Sequence, residues 1–381
     1  MDTASQITKT PRMFYIDNLR LLFTLLVILH HVCLTYGAKS GWYFYEYLHD
    51  PFTNLIINIL MAVNRTWVLG CFFMICGYFT PGSLDKKGTW DFMKERLIRI
   101  GIPLVLFAFL IRPTMVYFVN RESLAEQYTY LENILLLKNA APGPAWFLEV
   151  LLAFSFMYAL WRRGRGAPRG EEGSQRPFPR NRAILVFIII LAAFTFVLRI
   201  FLPTEKQILH LRLGNYVEYI AFFALGITAY RHRWFDKLTD ATGRQWTAIT
   251  AAAVCAYAIF VVFAWSSNMN LSFFRGGLSL ETLVATYVGT FIAVGSNISL
   301  VYLFRRFLNS QPGPIKTMAQ DAYAVFIFHA PIIVSLCYLL QGHPLEHPFV
   351  KFVLAFVFGT VLCFLICRFI VRKIPYAQKI L

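Results

Sequence analysis

The stretch MFYIDNLRLLFTLLVILHHVCLTYG, residues 13–37, is apolar over most of its length yet holds Asp17, Arg20, His30 and His31. Its apolar run is too long for the h-region of a secretory signal and lacks a small-residue cleavage site, so it is read as a retained helix. About twenty apolar residues cross roughly 30 Å of hydrocarbon as a helix, which makes this segment a membrane span. An acid, a guanidinium and two imidazoles inside such a span are costly unless they are paired or used.

The rest of the chain repeats the apolar signal. Hydrophobic residues make up 57% of the 381 positions and charged residues 15%, leaving more apolar surface than a soluble core can hide. Apolar runs mark spans near 13–37, 52–80, 98–119, 144–161, 183–202, 212–230, 246–266, 281–304, 318–340 and 349–371. The fold class is therefore all-α, a polytopic integral membrane bundle of about ten transmembrane helices, with residues 1–381 as a single membrane domain. Cys33, Cys71, Cys76, Cys255, Cys337, Cys363 and Cys367 all fall inside these spans and show neither zinc-site nor disulfide spacing. They are read as small packing residues, and no metal is expected.

Of the 36 Lys and Arg, 24 fall in one alternating set of connecting segments and termini and 7 in the other. That alternation supports ten crossings and places both termini in the cytoplasm, with the chain in the cell's inner or plasma membrane. Topology and contact with anionic lipid then account for the net charge of +16 without nucleic acid. Residues 162–182, rich in Arg, Gly and Pro, are expected to form a flexible basic cytoplasmic loop. No internal repeat of the transporter kind is evident.

Within the first span, an eleven-residue separation at 100° per residue returns to within about 20° of its start, so Arg20 and His31 share a face roughly 16 Å apart. His30 points about 100° away. Asp17, three residues before Arg20, is placed to pair with it; snorkelling of Arg20 to the interface is the alternative.

Several separated motifs then converge. Arg20-x10-His31 is followed by Phe72-Phe73-Met74-Ile75-Cys76-Gly77-Tyr78-Phe79 and by Phe92-x3-Arg96-x2-Arg99-Ile100-x2-Pro103. Ala145-Trp146-Phe147-Leu148 opens the fourth span, and Ala322-Tyr323-Ala324-Val325-Phe326-Ile327-Phe328-His329-Ala330-Pro331 lies in the ninth. The set resembles the membrane acyltransferase-3 family, most closely its glucan-modifying succinyltransferase type. Two positions depart from it: Cys76 stands where the family commonly has Ser before Gly-Tyr, and Glu149 follows Trp146 in an uncommon form. No segment resembles the periplasmic hydrolase-like domain fused to some members, which implies direct delivery of the acyl group or hand-over to a separate partner protein.

The resemblance implies acyl-coenzyme A as cytoplasmic donor substrate and a hydroxyl of a glycan or other extracytoplasmic acceptor, with acetyl or succinyl as the group transferred. Such a transfer needs a base for the incoming alcohol, and a neutral imidazole suits it. His31 is assigned that role, with an acyl-histidine route left open. His329 is a second candidate, as oxyanion partner or as an interhelical hydrogen-bonding group. Glu149 is expected either to orient a histidine or to pair with Arg65. The donor's phosphates need cations, for which Arg20, Arg96, Arg99, Lys86 and Lys87 are assigned, the arginines for their bidentate reach; for the lysines, positive-inside bias is the simpler account. Asp17, Trp146 and Tyr323 are assigned structural support. Arg65, Arg112 and Arg199 either meet an anionic group or sit at the interface. A transporter or flippase for a glycan-related or anionic solute, and a non-catalytic scaffold, are the competing classes.

Overall fold

Among the described residues, ten long helices follow the apolar runs one for one. The computed structural model describes residues 12–37, 42–166, 175–343 and 347–381, apart from the side chain of Leu271. The helices are α1 (Phe14–Tyr36), α2 (Pro51–Lys87), α3 (Thr89–Val119), α4 (Trp146–Gly164), α5 (Asn181–Phe201), α6 (Tyr216–His232), α7 (Asp240–Ser266), α8 (Leu280–Phe307), α9 (Gly313–Leu339) and α10 (Pro348–Phe369). Nine are long and apolar enough to cross a membrane. The other, α6, has 17 residues, which at 1.5 Å each is about 26 Å, still close to the hydrocarbon thickness. The protein is thus a multi-pass, all-helical membrane bundle.

Local chemistry sets the ends and the irregularities. The Asp50 carboxylate accepts from the Thr53 amide at 2.8 Å and from its hydroxyl, and Pro51 opens α2. Those two donors hold the Asp50 carboxyl below the usual carboxylate range. Helix α3 widens into π-turns over Leu97–Gly101 and Phe107–Ile111, each shortly before a proline, Pro103 or Pro113. Proline has no N–H for the carbonyl four residues back and its ring crowds that carbonyl. For Pro103 the carbonyl is that of Arg99, and the Tyr323 hydroxyl of α9 donates to it.

Close backbone contact holds the bundle together where apolar burial gives little drive between helices in lipid. A Cβ on Gly77 of α2 would stand 2.1 Å from the Phe223 carbonyl oxygen of α6, and one on Gly226 would stand 2.0 Å from the Met74 oxygen. Only glycine permits that approach. Helices α9, α1 and α8 lie innermost, with 61%, 56% and 56% of their apolar windows buried against 17% for α7. Helix α1 contributes Leu19 and Phe23 to one buried cluster, and Ile28, Val32 and Tyr36 to a second that includes Ile333 of α9 and Cys363 of α10. Its polar side chains therefore meet protein.

Two connections bear on function. Residues 42–50 fold back onto the end of α1: the Glu46 amide donates to the Thr35 carbonyl at 2.9 Å, and the Glu46 carboxylate accepts from Lys351 Nζ at 2.6 Å. The segment 162–182 is only partly a loop. Arg162 belongs to α4 and pairs with Asp85 at 3.3 Å, Asn181 opens α5, and residues 167–174 lie outside the described residues. Helix α4 runs past the apolar register because Asp85 gives its terminal arginine a partner.

Candidate active site

His31 and His329 meet at the packed face of α1 and α9. His329 Nε2 lies 3.0 Å from His31 Nδ1, His329 Nδ1 lies 2.7 Å from the Phe326 carbonyl, and His31 Nδ1 lies 2.9 Å from the Val27 carbonyl. A carbonyl can only accept, so each Nδ1 carries the proton. His31 Nδ1–H is then shared between the Val27 oxygen and His329 Nε2. The unprotonated nitrogen of His31 is Nε2, which takes no hydrogen bond from the described residues. His329 is 1% exposed whereas His31 is half-buried, so His31 is the less enclosed member of the pair. Trp42, from the folded-back loop, stacks on the His31 ring with centroids 4.3 Å apart and planes at 26°. His30 faces elsewhere: Asn64 Nδ2 donates to its Nδ1 at 3.2 Å.

Toward the other end of α1, the arginines gather. Arg20 meets Asp17 at 3.7 Å, and Asp17 is shared with Arg12 at 2.8 Å. Arg20, Arg96 and Arg99 all interact electrostatically with Tyr323, and Arg20 and Arg96 also with Cys76. The arginines of α1 and α3 thus face one region. Arg96 lies 4.9 Å over the Phe92 ring, and its Nε is buried with no protein acceptor among the described residues. Arg99 reaches Glu95 at 3.7 Å. Lys87 is engaged by Glu95, and Lys86 projects outward, exposed. Helix α1 therefore carries a cationic end and an imidazole end on one face.

A family model described as an acyltransferase domain matches residues 13–368 of this chain. The chain belongs to the acyltransferase-3 family. Among curated proteins, it is similar to glucans biosynthesis protein C of Escherichia coli strain K12, 20% identical over 347 residues that cover 87% of this chain and 85% of the relative. It is also similar to that of Escherichia coli O6:K15:H31 strain 536, 21% identical over 353 residues with the same coverage. No solved structure matches. The protein is a membrane acyltransferase.

The acyltransferase-3 motifs fall at contacts the sequence alone does not reveal. Gly77 is the close-approach point between α2 and α6, and Tyr323 braces the Arg99 carbonyl. Trp146 packs beside Tyr216 and Tyr219, 6.5 and 5.9 Å between centroids. Glu149 does meet a histidine, but that histidine is His210. It accepts from His210 Nε2 at 2.7 Å, and so fastens the 203–212 connection rather than engaging His31 or Arg65. Arg199 is held inside the bundle by Thr286 at 3.0 Å, Asn215 at 2.6 Å and Glu218 at 3.9 Å, which removes it as a free anion contact. Arg112 lies 5.6 Å over the Tyr43 ring. Trp42, Tyr43 and His210 went unread because they sit in connections, where no helical spacing relates them to His31 or Glu149.

Proposed function

We propose that this acyltransferase-3 protein transfers an acyl group, acetyl or succinyl, from cytoplasmic acyl-coenzyme A to a hydroxyl of a glycan or other extracytoplasmic acceptor. The observation that carries the reading is the His31–His329 pair, which leaves His31 Nε2 unprotonated and without a hydrogen bond from the described residues. In this reading Nε2 takes the proton of the acceptor hydroxyl, whose oxygen attacks the thioester carbonyl. The C–S bond breaks and the thiolate of coenzyme A leaves with that proton. The imidazolium formed on the way keeps its Nδ1–H on Val27 O and His329 Nε2, which steadies the charge as it appears.

Arg20, Arg96 and Arg99 would receive the donor's phosphates by charge-assisted contacts, Arg96 most directly because its Nε lacks an acceptor. Arg20 lies six residues from the start of α1 and His31 five from its end. The roughly 16 Å between them along the axis is comparable to an extended pantetheine arm. The basic bias of alternate connections supports both termini on the donor side. The similarity to glucans biosynthesis protein C favours a glycan as acceptor.

The test is thioester consumption by the full chain in lipid nanodiscs with acetyl- and succinyl-coenzyme A, against His31→Ala and Arg20→Ala. Release of free coenzyme A by wild type, lost in His31→Ala with donor binding retained, supports the reading. Donor binding by neither wild type nor variant, with a glucan acceptor present, overturns it. Single-turnover kinetics without acceptor separate the two routes, since an acyl-histidine releases one equivalent of coenzyme A and direct transfer releases none.

A further inference from the structure

His31 has no carboxylate partner: among the described residues no Asp or Glu forms an ion pair with it, and its polar contacts are a carbonyl and a neutral imidazole. An imidazolium formed there lacks the counter-charge such a base usually has. What covers the ring instead is the Trp42 indole, nearly parallel at 4.3 Å. That indole is not free to drift. Its Nε1–H donates to Thr35 Oγ1 at 3.0 Å, and Thr35 in turn donates to the His31 carbonyl at 3.1 Å, so the stack is referenced to His31's own backbone. Trp42 also meets Tyr43 at 4.8 Å, and the Tyr43 hydroxyl fills the space a Cβ on Gly143 would need, at 2.0 Å.

We propose that Trp42 is a positioning residue for His31, its indole face stabilising the imidazolium as charge develops and closing that face so that reactants approach only at the Nε2 edge. The inference rests on the acyl-transfer reading for its biological meaning and on the stack alone for its physics. An indole face is the strongest of the aromatic partners for a cation, and desolvation strengthens it. A tryptophan that only filled space would be indifferent to the electron density of its ring.

The experiment replaces Trp42 alone, in the full chain in nanodiscs, with tryptophans carrying one to four ring fluorines, which keep the shape while draining the π face. Two rates are read: kcat for coenzyme A release, and carbethoxylation of His31 by diethyl pyrocarbonate, followed by tandem mass spectrometry that separates His31 from His30. In the second reaction Nε2 bonds to the reagent's carbonyl carbon, and ethyl carbonate leaves with the Nδ1 proton as ethanol and carbon dioxide. Both rates should fall stepwise, roughly ten-fold across the series, with donor KM and thermal midpoint unchanged. Flat rates, or a fall that tracks KM or the midpoint, overturn the inference. Fluorine-dependent carbethoxylation without coenzyme A release would retain it and sink the acyl-transfer reading, while active protein with flat rates would do the reverse.

Discussion

His329 Nε2 stands 3.0 Å from His31 Nδ1, although 298 residues separate the two in the chain. With each Nδ1 proton held by a backbone carbonyl, His329 Nε2 is an acceptor rather than an acid. Its replacement should therefore be graded by acceptor ability. His329→Gln, whose amide oxygen can receive Nδ1–H, should retain more kcat than His329→Leu, which should lose on the order of ten- to a hundred-fold. His31→Ala should lose about 10²–10⁴-fold. Equal kcat for the Gln and Leu variants of His329 would remove the acceptor role.

The cationic end predicts a binding effect. Arg96→Ala and Arg20→Ala should each raise the donor KM by roughly ten- to a hundred-fold, the range of one charge-assisted hydrogen bond, with kcat nearly unchanged. Donor titration against both variants checks it, and a fall in kcat at constant KM would place these arginines elsewhere in the reaction.

Tyr323→Phe should leave the Arg99 carbonyl without its donor at the break made by Pro103. The bond is exposed, so its loss should cost about one net hydrogen bond, roughly 0.5–1.5 kcal/mol. The variant should melt at lower temperature in detergent and show a modest KM change, because Arg99 and Arg96 share the loosened turn.

Gly77→Ala and Gly226→Ala each push a methyl into backbone at about 2 Å, and each should destabilise by roughly 1–3 kcal/mol or more as the helices part. Gly164→Ala is the control: no atom lies within 4 Å of its Cβ, and a helical Gly→Ala change there should be neutral or slightly stabilising. Thermal unfolding of the three reads the difference.

Glu149→Gln should cost little. The Glu149 and His210 side chains are about a third exposed, so solvent screening limits the pair to under about 1 kcal/mol. Coenzyme A release should stay within roughly three-fold of wild type. A hundred-fold loss would show Glu149 acting on the reaction itself.

The ten long helices, the α1 register that puts Arg20 and His31 on one face, and Asp17 beside Arg20 were all legible in the linear chain, because hydropathy and helical period are local properties. Membership of the acyltransferase-3 family rests on motifs that are equally local. Which nitrogen of His31 is free, which carboxylate meets which histidine, and which arginines gather at one end were not legible. Glu149 shows why: it sits three residues after Trp146 on a helix face, yet its partner comes from a connection whose path no periodicity dictates.

By itself, then, the sequence determined that this protein is a membrane bundle with a cation and an imidazole on one helix, since apolar length and the 3.6-residue turn admit little else. Only the tertiary structure decided the chemistry of that imidazole. The His329 acceptor and the Trp42 lid arrive from α9 and from a folded-back loop, and no local periodicity of α1 dictates where either one packs.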